Sequence, residues 1–196
     1  PHHPVGPNET MQVDFTVNQE AATLWFHPHA LGTTAEQVYA GLAGLIFVED
    51  DNSDQLDLPK DYGVNDFPLI IQDRSFDADN QFDYAGAYDP DGTYGDTLLV
   101  NGTINPFVEV KNEQIRLRLV NGSNARNYTF GLENGAEFHQ IASDGGFLEQ
   151  PVALTSVTLT PGERAEIIVD LSGYAEGDTV KLMDGNATVL SLNVTE

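Results

Sequence analysis

Cysteine is missing altogether from the 196 residues, so disulfides, zinc–thiolate sites, thiol nucleophiles and thiolate-ligated copper are excluded within this stretch. The redox compartment therefore leaves no mark on it. Basic residues are scarce too: 8 Lys and Arg stand against 31 Asp and Glu, a formal charge of -23. A chain so acidic repels phosphate backbones and anionic lipid surfaces, which argues against nucleic acid and membrane as partners. No apolar run reaches the ~18 residues that a membrane-crossing helix needs, and no basic stretch leads into an apolar one as in a secretory signal. The chain opens on Pro1 rather than Met, which reads as a processed or truncated protein. What is plentiful argues for folding: 40% hydrophobic residues, with 18 Gly and 10 Pro, describe a turn-rich globular chain. Its length suffices for one large or two modest domains with real cores.

The apolar pattern has the two-residue period of strands. Met11, Val13, Phe15 and Val17 alternate with Gln12, Asp14, Thr16 and Asn18, as a half-buried strand requires. Ile115, Leu117 and Leu119 alternate in the same way with Gln114, Arg116 and Arg118, and short apolar segments recur at Leu159, Ile167 to Val169, and Val180 with Leu182. Between them stand Asn101-Gly102, Asn121-Gly122, Asn134-Gly135, Pro161-Gly162 and Asp184-Gly185, dipeptides suited to tight reversals. Short strands between frequent turns predict an all-β sandwich or barrel. Phe15, Leu45, Leu117, Leu119 and Ile168 are the expected core residues.

Helix is expected only near residues 35–40, where Thr34 with Gln37 has the spacing of a capping box. From Glu49 to Asp96 the chain holds 14 acidic residues against Lys60 and Arg74, with one good strand at Pro68 to Gln72. That composition predicts a solvated connector and loop region. It divides the chain into residues 1–55 and residues 56–196, the second long enough for a complete sandwich. The first offers apolar faces, Val13, Phe15 and Val17 with Leu45 and Phe47, that need a second sheet to cover them.

The residues best suited to chemistry are His27 and His29, which flank Pro28 just after Leu24-Trp25-Phe26. In an extended chain residues i and i+2 project from one face, about 7 Å apart at Cα, so two imidazoles point the same way. Neutral imidazole suits copper, zinc and iron, and this spacing either chelates one ion or delivers one ligand to each of two. Pro28 lacks an N–H and belongs at a sheet margin. Alone, the pair equally describes two partly exposed polar residues.

Its surroundings decide more. The stretch from Thr23 to His29, followed by Glu36-Gln37-Val38-Tyr39 and by Gly41 to Ile46, resembles the second histidine motif of multicopper oxidases. The resemblance continues through Asp66 to Asp73, Gly95-Asp96 to Asn101-Gly102, Arg116 to Arg126, Ile141 to Gly146 and Pro161 to Arg164. These segments look like the middle domain of bacterial three-domain laccases and spore-coat-type oxidases. The resemblance implies cupredoxin-like Greek-key β-sandwiches, the first incomplete: residues 1–55 correspond to the C-terminal part of the first domain and 56–196 to the second. It implies copper, four ions per complete enzyme, three of them clustered between the first and third domains. His27 and His29 match the pair that gives one imidazole to each copper of the binuclear part. Such an enzyme oxidises phenols, amines or metal ions and reduces dioxygen to water. Its partners here are the remaining first-domain strands, the third cupredoxin domain, dioxygen and a small reducing substrate. A secreted or cell-surface location is favoured over a cytoplasmic one.

The departures are equally informative. The family's other histidine motifs, an earlier H-x-H, a later H-x-x-H-x-H and a terminal His-Cys-His, do not occur here, so this stretch alone is expected to be inactive. The alternative is a non-enzymatic cupredoxin-like interaction module that has lost its coppers; a one-metal site on the same pair lacks a third donor at ligand spacing. His139 reads as a structural histidine within a strand, His2 and His3 as loop residues beside Pro1 and Pro4, and Asp144-Gly145-Gly146 as a turn. Asp89, Asp91 and Thr93 have the oxygen spacing of a calcium loop, but the glycine falls at the wrong place and no Glu stands twelve from the start. Asn-x-Ser/Thr triplets at Asn8, Asn101, Asn121, Asn127, Asn186 and Asn193 coincide with turn and strand positions and do not establish glycosylation.

Overall fold

Apolar alternation closes into two stacked sheets. A computed structural model describes residues 5–195. In chain order the elements are β1 (Ala22–Phe26), α1 (Thr34–Tyr39), β2 (Gly44–Val48), α2 (Asp51–Gln55), β3 (Asp66–Arg74), β4 (Tyr88–Asp89), β5 (Gly92–Thr93) and β6 (Thr97–Val100). There follow β7 (Phe107–Lys111), β8 (Gln114–Asn121), β9 (Tyr128–Leu132), β10 (Phe138–Ser143), β11 (Gly146–Leu154) and β12 (Ser156–Leu159). The last three are β13 (Arg164–Asp170), β14 (Thr179–Asp184) and β15 (Ala187–Thr195). One sheet runs β11-β10-β13-β8-β3-β6 and the other β12-β9-β14-β15-β7. Most pairings are antiparallel; β3 lies parallel to β8 and β15 parallel to β7.

The middle strand β8 explains the packing. Ile115, Leu117 and Leu119 are fully buried and meet Phe130, Phe138, Ile167 and Leu182 in the core between the sheets. The intervening Arg116 and Arg118 occupy the opposite face, yet they too are buried, because β1 and β2, paired as a separate two-stranded ribbon, cover that face. The all-β expectation therefore holds, as do Leu117 and Leu119 in the core, while Ile168 is buried on the face it shares with Arg116.

Other expectations need correction. Residues 10–18 form no strand, and Phe15 is 76% exposed, with Met11, Val13 and Val17 also exposed. Alternation makes a strand only where a neighbouring edge supplies hydrogen bonds and an apolar face, and this segment meets neither among the described residues. Leu45 and Phe47 are half-buried rather than core. The acidic stretch is less of a loop than its charge implies: β3 extends from Asp66 to Arg74, and α2 is capped by Asp50, whose carboxylate accepts from Ser53 N while Ser53 Oγ accepts from Asp50 N. The Thr34 box is not made. Thr34 Oγ1 donates to Ala30 O at 2.9 Å, and α1 starts from Thr33 without a side-chain cap.

Four of the five nominated dipeptides are reversals, Asn101-Gly102 with φ of 49° and 77° at its two residues. Asn121-Gly122 is not. Asn121 is buried at the end of β8, where its amide donates to the carbonyls of Arg126 and Leu159, and Gly122 packs under Ile70.

Candidate metal centre

β1 carries the histidine pair to the margin of its ribbon. The last cross-strand pair is Phe26 with Gly44, and a Cβ on Gly44 would lie 2.5 Å from Phe26 Cζ, so glycine there lets the Phe26 ring lie across β2. The ladder ends at this point, and Pro28, with no N–H to offer, follows within two residues. His27 is half-buried and His29 exposed. Their ring centroids are 6.0 Å apart, and the Trp25 ring lies 4.4 Å from that of His27.

One tautomer is set by chemistry. His27 Nδ1 is 2.9 Å from the carbonyl oxygen of Pro28; a carbonyl only accepts, so Nδ1 carries a proton, and the neutral ring has its lone pair on Nε2. Imidazole nitrogens of this kind suit copper. Among the described residues no group of three or more His, Cys, Asp or Glu side chains stands close enough to hold an ion. The donor set thus fits copper as a contribution to a site, not as a whole one.

Behind the ribbon lies a buried polar network that sequence reading missed. Thr23 Oγ1 donates to Glu166 Oε1 at 2.7 Å and accepts from Arg118 Nη1 at 2.9 Å. Glu166 Oε2 accepts from Arg116 Nε at 2.8 Å and also from its Nη2, while Arg118 pairs with Asp66 through Nε and Nη2. Two guanidinium groups meet two carboxylates, so the cluster is neutral as a whole. Burial alone would lower the pKa of Arg118, but the hydrogen bond with Asp66 and the charges of Glu166 and Asp66 outweigh it and leave it raised. The available signal was two arginines within one apolar strand of a chain with so few basic residues. Their alternation with Leu117 and Leu119 suggested a solvated face, whereas a second layer covers it.

The other nominated residues stay apart from His27 and His29. His139 is exposed on β10, opposite Ala153 and Ile168, and its side chain makes no hydrogen bond among the described residues. Asp144-Gly145 makes the reversal between β10 and β11, and Gly146, at φ 128°, lies so close to Ala21 that a Cβ would be 2.7 Å from its carbonyl oxygen. Asp89 and Thr93 belong to the small β4–β5 hairpin, where Asp89 Oδ1 accepts from Asp91 N. His2 and His3 lie outside the described residues.

A family model of multicopper oxidases matches residues 1–53, and a second multicopper oxidase model matches residues 65–178. The chain belongs to the multicopper oxidase family. Among these oxidases it is 46% identical over 190 residues to multicopper oxidase mco of Staphylococcus haemolyticus, covering 97% of this chain and 42% of that protein. It is also 45% identical to cell division protein FtsP of Xenorhabdus nematophila, over 92% of this chain and 39% of that one. The laccase from Pediococcus acidilactici superposes with a TM-score of 0.95 at 43% identity, across 98% of this chain and 41% of that chain. McoA multicopper oxidase from Aquifex aeolicus gives a TM-score of 0.86 at 40% identity, with 93% and 43% covered. The chain therefore spans less than half the length of these multicopper oxidases, and its sandwich is of their cupredoxin kind. Copper is the cofactor that the family implies.

Proposed function

We propose that this chain is part of a laccase-like oxidase that takes single electrons from phenols, amines or metal ions and reduces dioxygen to water. In that reading residues 1–55 are the C-terminal part of a first cupredoxin-like domain, and residues 56–196 are the second. His27 and His29 each supply one imidazole to the binuclear part of a three-copper cluster. A third cupredoxin domain and the remaining first-domain strands supply the other ligands and the fourth copper.

One observation carries the reading: an H-x-H pair at the open end of a ribbon, with His27 Nδ1 turned to Pro28 O, in a chain of this family. Bound copper would pass electrons from the reducing substrate to dioxygen. The chain's own part is to hold the ligands. Pro28 O accepts from His27 Nδ1, Trp25 packs beside the His27 ring, and the His29 ring lies 6.0 Å from it. The chain by itself is expected to bind copper weakly, to lack blue absorption for want of a thiolate, and to oxidise no phenol.

The test uses the complete protein and stopped-flow absorbance of its blue copper. In His27→Ala or His29→Ala, substrate should still bleach the blue band, while its return on adding oxygen is slowed. Unchanged reoxidation in both variants would assign the histidines a structural role. The second reading, a non-enzymatic interaction module, is favoured by the 45% identity to a protein named for cell division. It requires the complete protein to hold no copper after reconstitution.

A further inference from the structure

We propose that Arg118 and Arg74, both on the large sandwich, are positioning residues for the histidine pair, clamping the chain on either side of it through Thr23 and Val38. The proposal rests on the reading of His27 and His29 as copper ligands.

The upstream clamp closes on Thr23, four positions before His27. Its side chain is buried although it stands on a two-stranded ribbon, because Arg118 and Glu166 hold the hydroxyl between them. Its carbonyl accepts from Arg164 Nε at 3.2 Å. Arg118 also lies 4.5 Å above the ring of Phe47, the cross-strand partner of Thr23. One guanidinium thus touches both strands of the ribbon, and Asp66 fixes that guanidinium from the opposite side.

The downstream clamp closes on α1, which begins five positions after His29. Arg74 Nη2 donates to Val38 O at 2.9 Å, and its guanidinium lies 4.5 Å over the ring of Tyr39. Asn124 Nδ2 donates to Ala35 O at 2.8 Å, and Tyr39 Oη accepts from Ser75 N at 2.7 Å. Arg74 is 1% exposed and has no carboxylate partner among the described residues. Burial lowers its pKa, against the opposing pull of Tyr39 and Asp73. A buried guanidinium without a counterion is a poor core filler; here its hydrogen bonds go to main-chain carbonyls, one of them on the helix that follows the histidines.

Beyond the β1–β2 ladder, which ends at Phe26, residues 27–33 make only local hydrogen bonds among the described residues. The hydrogen bonds of residues 27–33 run to Pro28 O and Ala30 O, and Leu31 is fully exposed. A stretch fixed at its ends and free in its middle takes its geometry from those ends. The large sandwich then sets the spacing of two imidazoles without contributing one to them.

The experiment compares Thr23→Val, Thr23→Ser, Arg74→Met and His27→Ala in the complete enzyme. Copper content is measured during dialysis against a chelator, and hydrogen–deuterium exchange of the peptide covering residues 24–34 is followed in the copper-free protein. Thr23→Val removes the hydroxyl while leaving Arg118 paired with Asp66. It should speed exchange in this peptide and raise copper loss by about tenfold, the range seen when groups supporting metal ligands are removed. Thr23→Ser, which keeps the hydroxyl, should match the parent, and Arg74→Met should reproduce the Thr23→Val result from the other end. Parent-like copper retention and exchange in both Thr23→Val and Arg74→Met, with copper lost from His27→Ala, overturns the clamp. Full copper in His27→Ala overturns the metal reading instead. Should Thr23→Val fail to fold, Arg74→Met decides alone by the same two measurements.

Discussion

Thr23 and Glu166 stand 143 positions apart and share a buried hydrogen bond of 2.7 Å. Glu166 is also the carboxylate that Arg116 needs. Glu166→Gln leaves that guanidinium buried with its charge unmatched, so urea denaturation should report a loss of about 3–5 kcal/mol. A loss below about 1 kcal/mol, the range of exposed pairs, would mean that water enters the network.

Leu117 and Phe15 make a paired test of where the core lies. Leu117 is fully buried between Phe67 on β3 and Ile167 on β13, so Leu117→Ala should cost about 2–5 kcal/mol by transfer and cavity effects together. Phe15 touches no core, and Phe15→Ala in this chain should change stability by no more than about 0.5 kcal/mol. A comparable loss in both would restore residues 11–17 to the core.

Acid should act on Asp50. Its carboxylate accepts from the backbone N–H of Ser53 and of Ala21, which holds its pKa below the ordinary value of 3.8. A lowered folded pKa means that the unfolded chain binds the proton more readily. The stabilisation is therefore complete above about pH 4 and fades as pH falls through the lower folded value. The stability difference between parent and Asp50→Asn should shrink as pH is lowered from about 5 to 2. A difference that stays constant over this interval would show that Asp50 does not titrate with folding.

The charge of -23 repels itself within the compact state. Raising sodium chloride at neutral pH should raise the melting temperature, since ions shorten the reach of repulsion to about 8 Å at 0.15 M. A melting temperature that falls steadily with salt would instead assign the larger electrostatic role to attractive surface pairs such as Lys181–Glu133.

Periodicity made the sandwich legible where a strand has a core on one side: Leu117 and Leu119 follow directly from alternation. It misled at Phe15, because alternation describes what a strand would bury and not whether a neighbour is present to bury it. The histidine pair was legible as a motif, since donor type and spacing are both local. The arginine network was not. Arg118, Thr23 and Glu166 meet only after three remote segments are packed, and no local pattern carries that information. The acidic composition of Asp50 to Asp54 hid α2, whose capping residues, Asp50 and Ser53, are themselves polar.

The span between Thr23 and its partners also sets an order of events. During synthesis residues 22–48 leave the ribosome well before Arg118 and Glu166 have been made, and a two-stranded ribbon on its own is marginally stable in water. Thr23, Phe47 and the stretch that bears His27 must wait for a sandwich still to be translated. The part of the chain that is born early is settled late, so the imidazoles take up their 6.0 Å separation only once β8 and β13 are in place.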